Sequence, residues 1–205
     1  WMTYADSPSE SLGRSAAAGT LWLTGQKWVQ RLAGLATIAI LKRQISPEAF
    51  GIVAAASTIT PFVLLLADLG LSTYVVQEKQ IDQRLLSTGF WFSVTAATVL
   101  AIAVVVLAPV IASAFRLPEA AAVLRGLSLS VVFVVLGSVP TALLRRGMQF
   151  RLLAFQGLVS TLVAQCVAVI LALRGAGAGA LVMQLVVSQA LACILAWRAA
   201  RWRPA

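Results

Sequence analysis

Long uncharged stretches recur along this chain, separated by short clusters that are mostly basic. Arg84 and Arg116 bracket 31 residues without a charge, Arg125 and Arg145 bracket 19, Arg151 and Arg174 bracket 22, and Arg174 and Arg198 bracket 23. Glu48 and Asp68 bracket a further 19. Each reaches the roughly 17–25 residues that a helix needs to cross a hydrocarbon core about 30 Å thick. A less uniform apolar stretch, Ala16–Leu41, makes a sixth. The expected spans are therefore 16–41, 50–75, 86–115, 121–144, 152–173 and 178–197. Backbone polar groups in lipid must be satisfied within the structure that spans it, and no alternating strand pattern suggests a barrel. The pattern predicts an all-α integral membrane protein, a bundle of six transmembrane helices.

Composition supports that class. Of 205 residues, 60% are hydrophobic and only 11% charged, where a soluble domain carries about a quarter charged residues. The net charge of +9 does not point to nucleic acid, because the basic residues fall at span ends and in loops rather than on one face. Only Lys27 and Arg31 stand near the middle of a span. With the N-terminus inside, one side of the membrane holds Arg14, Lys79, Arg84, Arg145, Arg146, Arg151, Arg198, Arg201 and Arg203, nine in all. The other holds Lys42, Arg43, Arg116, Arg125 and Arg174, five in all, so both termini are expected in the cytoplasm. The leader contains Asp6 and Glu10 and a single basic residue, Arg14, which makes a poor signal peptide. A beginning at Trp1 rather than Met is what a fragment would show.

The connections carry turn chemistry. Ser46-Pro47-Glu48 suits a helix start, with a capping Ser and a Pro at the first helical position, and Leu117-Pro118-Glu119 repeats it. Gly175, Gly177 and Gly179 have a spacing found in phosphate loops, but no strand precedes them, so a hairpin between two spans is expected. Pro61, Pro109 and Pro140 lie within or near the ends of spans, where proline removes a helix hydrogen bond and can kink the chain. Cys166 and Cys193 sit inside spans as small packing residues. There is no His, no metal-type spacing and no nucleophile paired with a base. Neither enzyme activity nor a cofactor or metal is expected.

The first span is where the pattern breaks. Lys27 and Arg31 stand four residues apart, one turn from each other on the same face. Thr20 and Thr24 precede them on that side, and Gln26, Gln30, Gly34 and Thr37 widen the polar arc to roughly 160°. A centrally placed Lys or Arg costs about 2.5–3.5 kcal/mol on insertion scales, so such residues face a bundle interior or a wet cavity. Two readings follow. Lys27 can snorkel and Arg31 can pair with Asp68 or with carbonyls, holding the bundle together. Alternatively Lys27, Arg31, Gln30 and Thr24 form the wall of a cavity that receives an anion. Asp68, the only acid within a span, is an ion-pair partner or a proton or cation site. Gln165, Gln184 and Gln189 are weaker candidates, since amides also join helices.

Several segments, in order and spacing, resemble the polysaccharide-exporter branch of the multidrug/oligosaccharidyl-lipid/polysaccharide (MOP) flippase superfamily, especially its colanic-acid and teichuronic-acid exporter group. They are Gly19-Thr20-Leu21-Trp22, the string from Leu41 to Gly51 (LKRQISPEAFG) and that from Ala67 to Lys79 (ADLGLSTYVVQEK). Ser87 to Phe92 (STGFWF), Leu143 to Leu153 (LLRRGMQFRLL) and Trp202-Arg203-Pro204 continue the likeness. Lys42 stands where the family usually shows Ala in a Leu-Ala-Arg string. The resemblance implies a transporter in the bacterial inner membrane that moves an oligosaccharide on a polyprenyl pyrophosphate-type lipid between leaflets, by alternating access between two helical lobes. It further implies that residues 1–15 are a cytoplasmic leader, 16–200 the N-terminal lobe and 201–205 the start of the loop to a C-terminal lobe. Lys27 and Arg31 would then meet the pyrophosphate. The expected partners are the lipid-linked oligosaccharide, membrane lipids and the C-terminal lobe, with no nucleic acid. A cation-coupled drug or small-solute exporter of the same superfamily and a truncated, non-transporting bundle are the alternatives.

Overall fold

A computed structural model of the chain describes residues 8–58, 61–62, 65, 83–114, 120–202 and 204. Six helices are defined: α1 (Pro8–Leu41), α2 (Pro47–Ser57), α3 (Gln83–Ala114), α4 (Ala120–Arg146), α5 (Phe150–Leu173) and α6 (Ala178–Ala200). No strand occurs among the described residues. Among the described residues four helices, not six, are both long and apolar enough to cross a bilayer: Gln83–Ser113, Ala120–Arg146, Phe150–Leu173 and Ala178–Ala200. They lie over the last four expected spans. Of the other two, α1 has length to spare at 34 residues, about 50 Å, but Lys27, Arg31 and its glutamines dilute its hydropathy. The helix α2 is 11 residues long, and most of the expected span 50–75 lies outside the described residues, as do Asp68 and the Leu117-Pro118-Glu119 turn.

Local chemistry accounts for the boundaries that are described. Pro47 opens α2, with Phe50 N–H bonded to Ser46 O at 3.3 Å, in keeping with proline's missing donor at a helix start. Between α5 and α6 the chain reverses in four residues. Gly175 and Gly177 adopt φ of +80° and +53°, and Ala176 N–H returns to Leu171 O at 3.0 Å. The hydroxyls inside the spans are satisfied locally: Thr95, Thr98, Ser130 and Ser138 each donate to a carbonyl three or four residues back at 2.6–2.8 Å. That removes the penalty of an unpaired hydroxyl in hydrocarbon.

The helices form a row, α3–α4–α6–α5–α1, with α2 lying against α4 and α6. The helix α4 is the most buried of the four apolar helices, α3 the least. One core joins α2, α3, α4 and α6 through Ile52, Ala108, Leu124 and Val182. At the other end of α4, Leu86 and Phe90 of α3 pack with Val139 and Ala142. There Phe90 meets Trp197 edge-on at 5.7 Å and Trp202 at 5.4 Å. Trp197 donates its indole N–H to Leu136 O at 2.9 Å, and Trp202 donates to Gln83 Oε1 at 3.3 Å. The segment after α6 is thereby pinned to the start of α3.

Candidate functional site

The α1–α5 junction contains one of the four residues proposed from the sequence to line a site, Gln30, and turns the other three to one side of it. It is built on a glycine. Gly157 of α5 leaves room for the Gln26 amide, whose nitrogen would collide with any Cβ at that position. One turn further on, Gln30 donates both amide protons across the junction, to Gly157 O at 2.6 Å and to Thr161 Oγ1 at 2.8 Å. Another turn on, Gly34 faces the Gln165 amide, and Leu41 closes the series against Ala168 and Ala172. The pairs 26/157, 30/161 and 34/165 advance together, so α1 and α5 run parallel. Small residues allow close approach in a bilayer and amides supply the cross-helix bonds.

This contact splits the polar arc of α1 in two. Gln26, Gln30, Gly34 and Thr37 belong to the face packed on α5. Thr37 is buried and donates to Ala33 O in its own helix at 2.9 Å. Thr24, Lys27 and Arg31 stand on the neighbouring flank and are exposed. The Arg31 guanidinium lies 6.0 Å from the Trp28 ring centre, a cation–π contact three residues apart along the helix. Glu48, at the start of α2, is the only acid whose side chain is described, so pairing of Arg31 with Asp68 falls outside the described residues. Gln30 has committed its nitrogen to α5 and offers a ligand only its carbonyl oxygen.

The depth of the cations follows from the register. Thr161 is at the middle of α5, a helix of membrane-spanning length. Gln30 bonds to it, so Arg31 stands at mid-helix and Lys27 one turn toward the start of α5. The arrangement presents two cations and a hydroxyl on a flank that α5 does not cover. Such a flank can bind a multivalent anion by charge and hydrogen bonding.

Three amides have different standing from what spacing alone suggested. Gln165 is buried in the α1–α5 junction, whereas Gln184 and Gln189 are half-buried on α6. Gln156, which sequence reasoning passed over, is buried and donates to Ala192 O of α6 at 2.9 Å, with its Oε1 unpartnered. Its sequence signal was plain in retrospect, a glutamine inside an uncharged run. Of the cysteines, Cys193 is buried beside Gly137 and Cys166 is exposed.

The fold defines a multi-pass helical membrane protein. Residues 40–205 match the polysaccharide biosynthesis protein family, and the chain belongs to that family, the polysaccharide flippases of the MOP superfamily. It is 36% identical over 152 residues to the succinoglycan biosynthesis transport protein ExoT of Rhizobium meliloti (strain 1021), covering 74% of this chain and 31% of that protein. It is 26% identical over 140 residues to the lipopolysaccharide biosynthesis protein WzxC of Escherichia coli (strain K12), covering 68% and 28%. An uncharacterised membrane protein in the cps region of Klebsiella pneumoniae is 26% identical over 161 residues, covering 78% and 33%. The chain thus spans about a third of the length of the curated relatives it matches. No solved structure matches it. The family match begins at residue 40, so Thr24, Lys27, Gln30 and Arg31 precede it.

Proposed function

We propose that the chain is the N-terminal, six-span lobe of a transporter that carries a lipid-linked polysaccharide precursor across the bacterial inner membrane by alternating access. In this reading α1 crosses the bilayer despite its polarity, because it runs parallel to α5 from Trp22 to Leu41. Both termini lie in the cytoplasm, and a second lobe faces the uncovered flank of α1. The names of the relatives, a succinoglycan transport protein and a lipopolysaccharide biosynthesis protein, support the class of cargo and a transport rather than an enzymatic role.

The observation that carries the proposal is the Gln30–Thr161 bond, which sets Lys27 and Arg31 at mid-helix on a flank α5 leaves open. Cations at that depth are too costly to face lipid tails, so the flank borders a wet space. A polyprenyl pyrophosphate-type head group supplies the multivalent anion that two cations, the Thr24 hydroxyl and the Gln30 carbonyl would receive. Attraction in a low-dielectric cavity offsets part of the cost of stripping water from both. The full-length double variant Lys27→Gln/Arg31→Gln should reduce polysaccharide export about tenfold or more, the loss of one to two charge-assisted bonds. Membrane insertion, read by fractionation and protease accessibility, should be unchanged. Export at the wild-type rate from normally inserted double variant would refute the assignment.

A further inference from the structure

On the opposite flank of α1 from Lys27 and Arg31, a groove of about 630 Å³ opens between α1 and α5. Its α1 wall is Trp22, Gly25, Gln26 and Val29; its α5 wall includes Arg151 and Phe155. Seven residues separate Trp22 from Val29, so the groove runs about 10 Å along the helices. That is a third of a hydrocarbon core about 30 Å thick, and it begins at the first turn of α5, so the groove stays within one leaflet. Its size is that of a small-molecule site and far below what a folded partner needs.

Three details say what it holds. Apart from the Gln26 amide at its edge, the walls between its ends are apolar and shaped by two residues with little or no side chain, Ala154 and Gly25, and a Cβ at Gly25 would meet nothing within 4 Å. The open space over Gly25 therefore forms the groove floor. The single charged side chain lining it, Arg151, sits where α5 begins, with its guanidinium 5.5 Å from the Trp22 ring centre. Arg145, exposed at the end of α4, adds positive charge at the same turn. An apolar trough with one cation at its interfacial end is complementary to a lipid chain with a phosphate at its head.

We propose that this groove binds an anionic phospholipid from the leaflet at the α4–α5 turn, its phosphate on Arg151 and the first part of one acyl chain over Gly25 and Ala154. Trp22 holds the guanidinium at the interface by its ring face, the position where tryptophan is enriched. The occupant is a bulk bilayer lipid and not the transported one, because the groove and the Lys27/Arg31 flank lie on either side of the α5 contact. A lipid here would seal α1 to α5 beyond the last cross-helix amide, Gln26.

Native mass spectrometry of the full-length protein, released from nanodiscs containing equal dioleoyl-phosphatidylglycerol and dioleoyl-phosphatidylcholine, tests this. The wild type should retain phosphatidylglycerol in preference to phosphatidylcholine. Arg151→Gln should cut that preference about fivefold, the contribution of one cation near an anionic head group. Gly25→Leu fills the floor without touching the charge and should abolish retention of both lipids; Val29→Phe serves the same purpose from the wall. No retained lipid in the wild type, or equal retention in Arg151→Gln and the filled variants, overturns the proposal. So does displacement of phosphatidylglycerol by equimolar undecaprenyl phosphate, which would make the groove part of the carrier's path.

Discussion

Where α4 crosses α6, glycines let the helices close on each other; where α1 meets α5, glutamine amides reach across. At the first crossing a methyl group added at Gly126 would run into Val182 Cγ1, and one at Gly137 would come within 3.4 Å of Cys193 Cα. The crossing ends in the aromatic cluster of Phe90, Trp197 and Trp202. This side is held chiefly by dispersion over closely fitted surfaces, with the Trp197–Leu136 O bond added at one end. The second contact relies on Gln26 and Gln30 around Gly157, and its helix touches no other described element as extensively. Amides cost hydropathy, yet they give α1 one fixed azimuth against α5. That azimuth is what turns Lys27 and Arg31 to one flank and the lipid groove to the other.

Three perturbations separate the two kinds of contact. Trp197→Ala removes an edge-on ring partner, a tilted ring partner and the bond to Leu136 O. It should cost about 3–5 kcal/mol, as large-to-small aromatic changes do, measured by SDS unfolding in bicelles. A cost as small as that of losing one amide would mean the aromatic cluster is peripheral to the bundle. Next, Gln30→Leu and Thr161→Val in a double-mutant cycle should give a coupling of about 0.6–1.7 kcal/mol, the range of bonds between membrane helices. Zero coupling would leave the α1–α5 attachment to the Gln30–Gly157 O bond and the packing around Gly157. The smallest effect belongs to Thr37→Val. Its hydroxyl serves its own helix at Ala33 O, so removal should shift stability by less than about 0.5 kcal/mol. A larger loss would show that the Thr37 hydroxyl does more than serve its own helix.

The two regions were not equally legible in the sequence. Runs such as those between Arg125 and Arg145 and between Arg151 and Arg174 identify α4 and α5 directly, because exclusion of charge from hydrocarbon acts along the chain. Pro47 and the paired Gly175 and Gly177 marked their turns for an equally local reason, a backbone dihedral that only certain residues adopt freely. The first span was harder. Its arc of polar residues was visible, but an arc of roughly 160° is wider than one helix contact, and periodicity cannot say which edge is covered. Gly157 made that choice from another helix, by admitting the Gln26 and Gln30 amides.

Arg151 illustrates the same limit from the loop side. Counted along the chain it was one more basic residue at a span end. It became the head of a groove only when Trp22, far away in sequence, arrived 5.5 Å from it. The sequence by itself determined the class of protein, the helices at α3 to α6 and the presence of two cations within an otherwise apolar stretch, since each is read from the placing of charge along one segment at a time. Only the tertiary structure decided the azimuth of α1, which amides are bonds and which flank is open, because those depend on small residues of one helix meeting large ones of another.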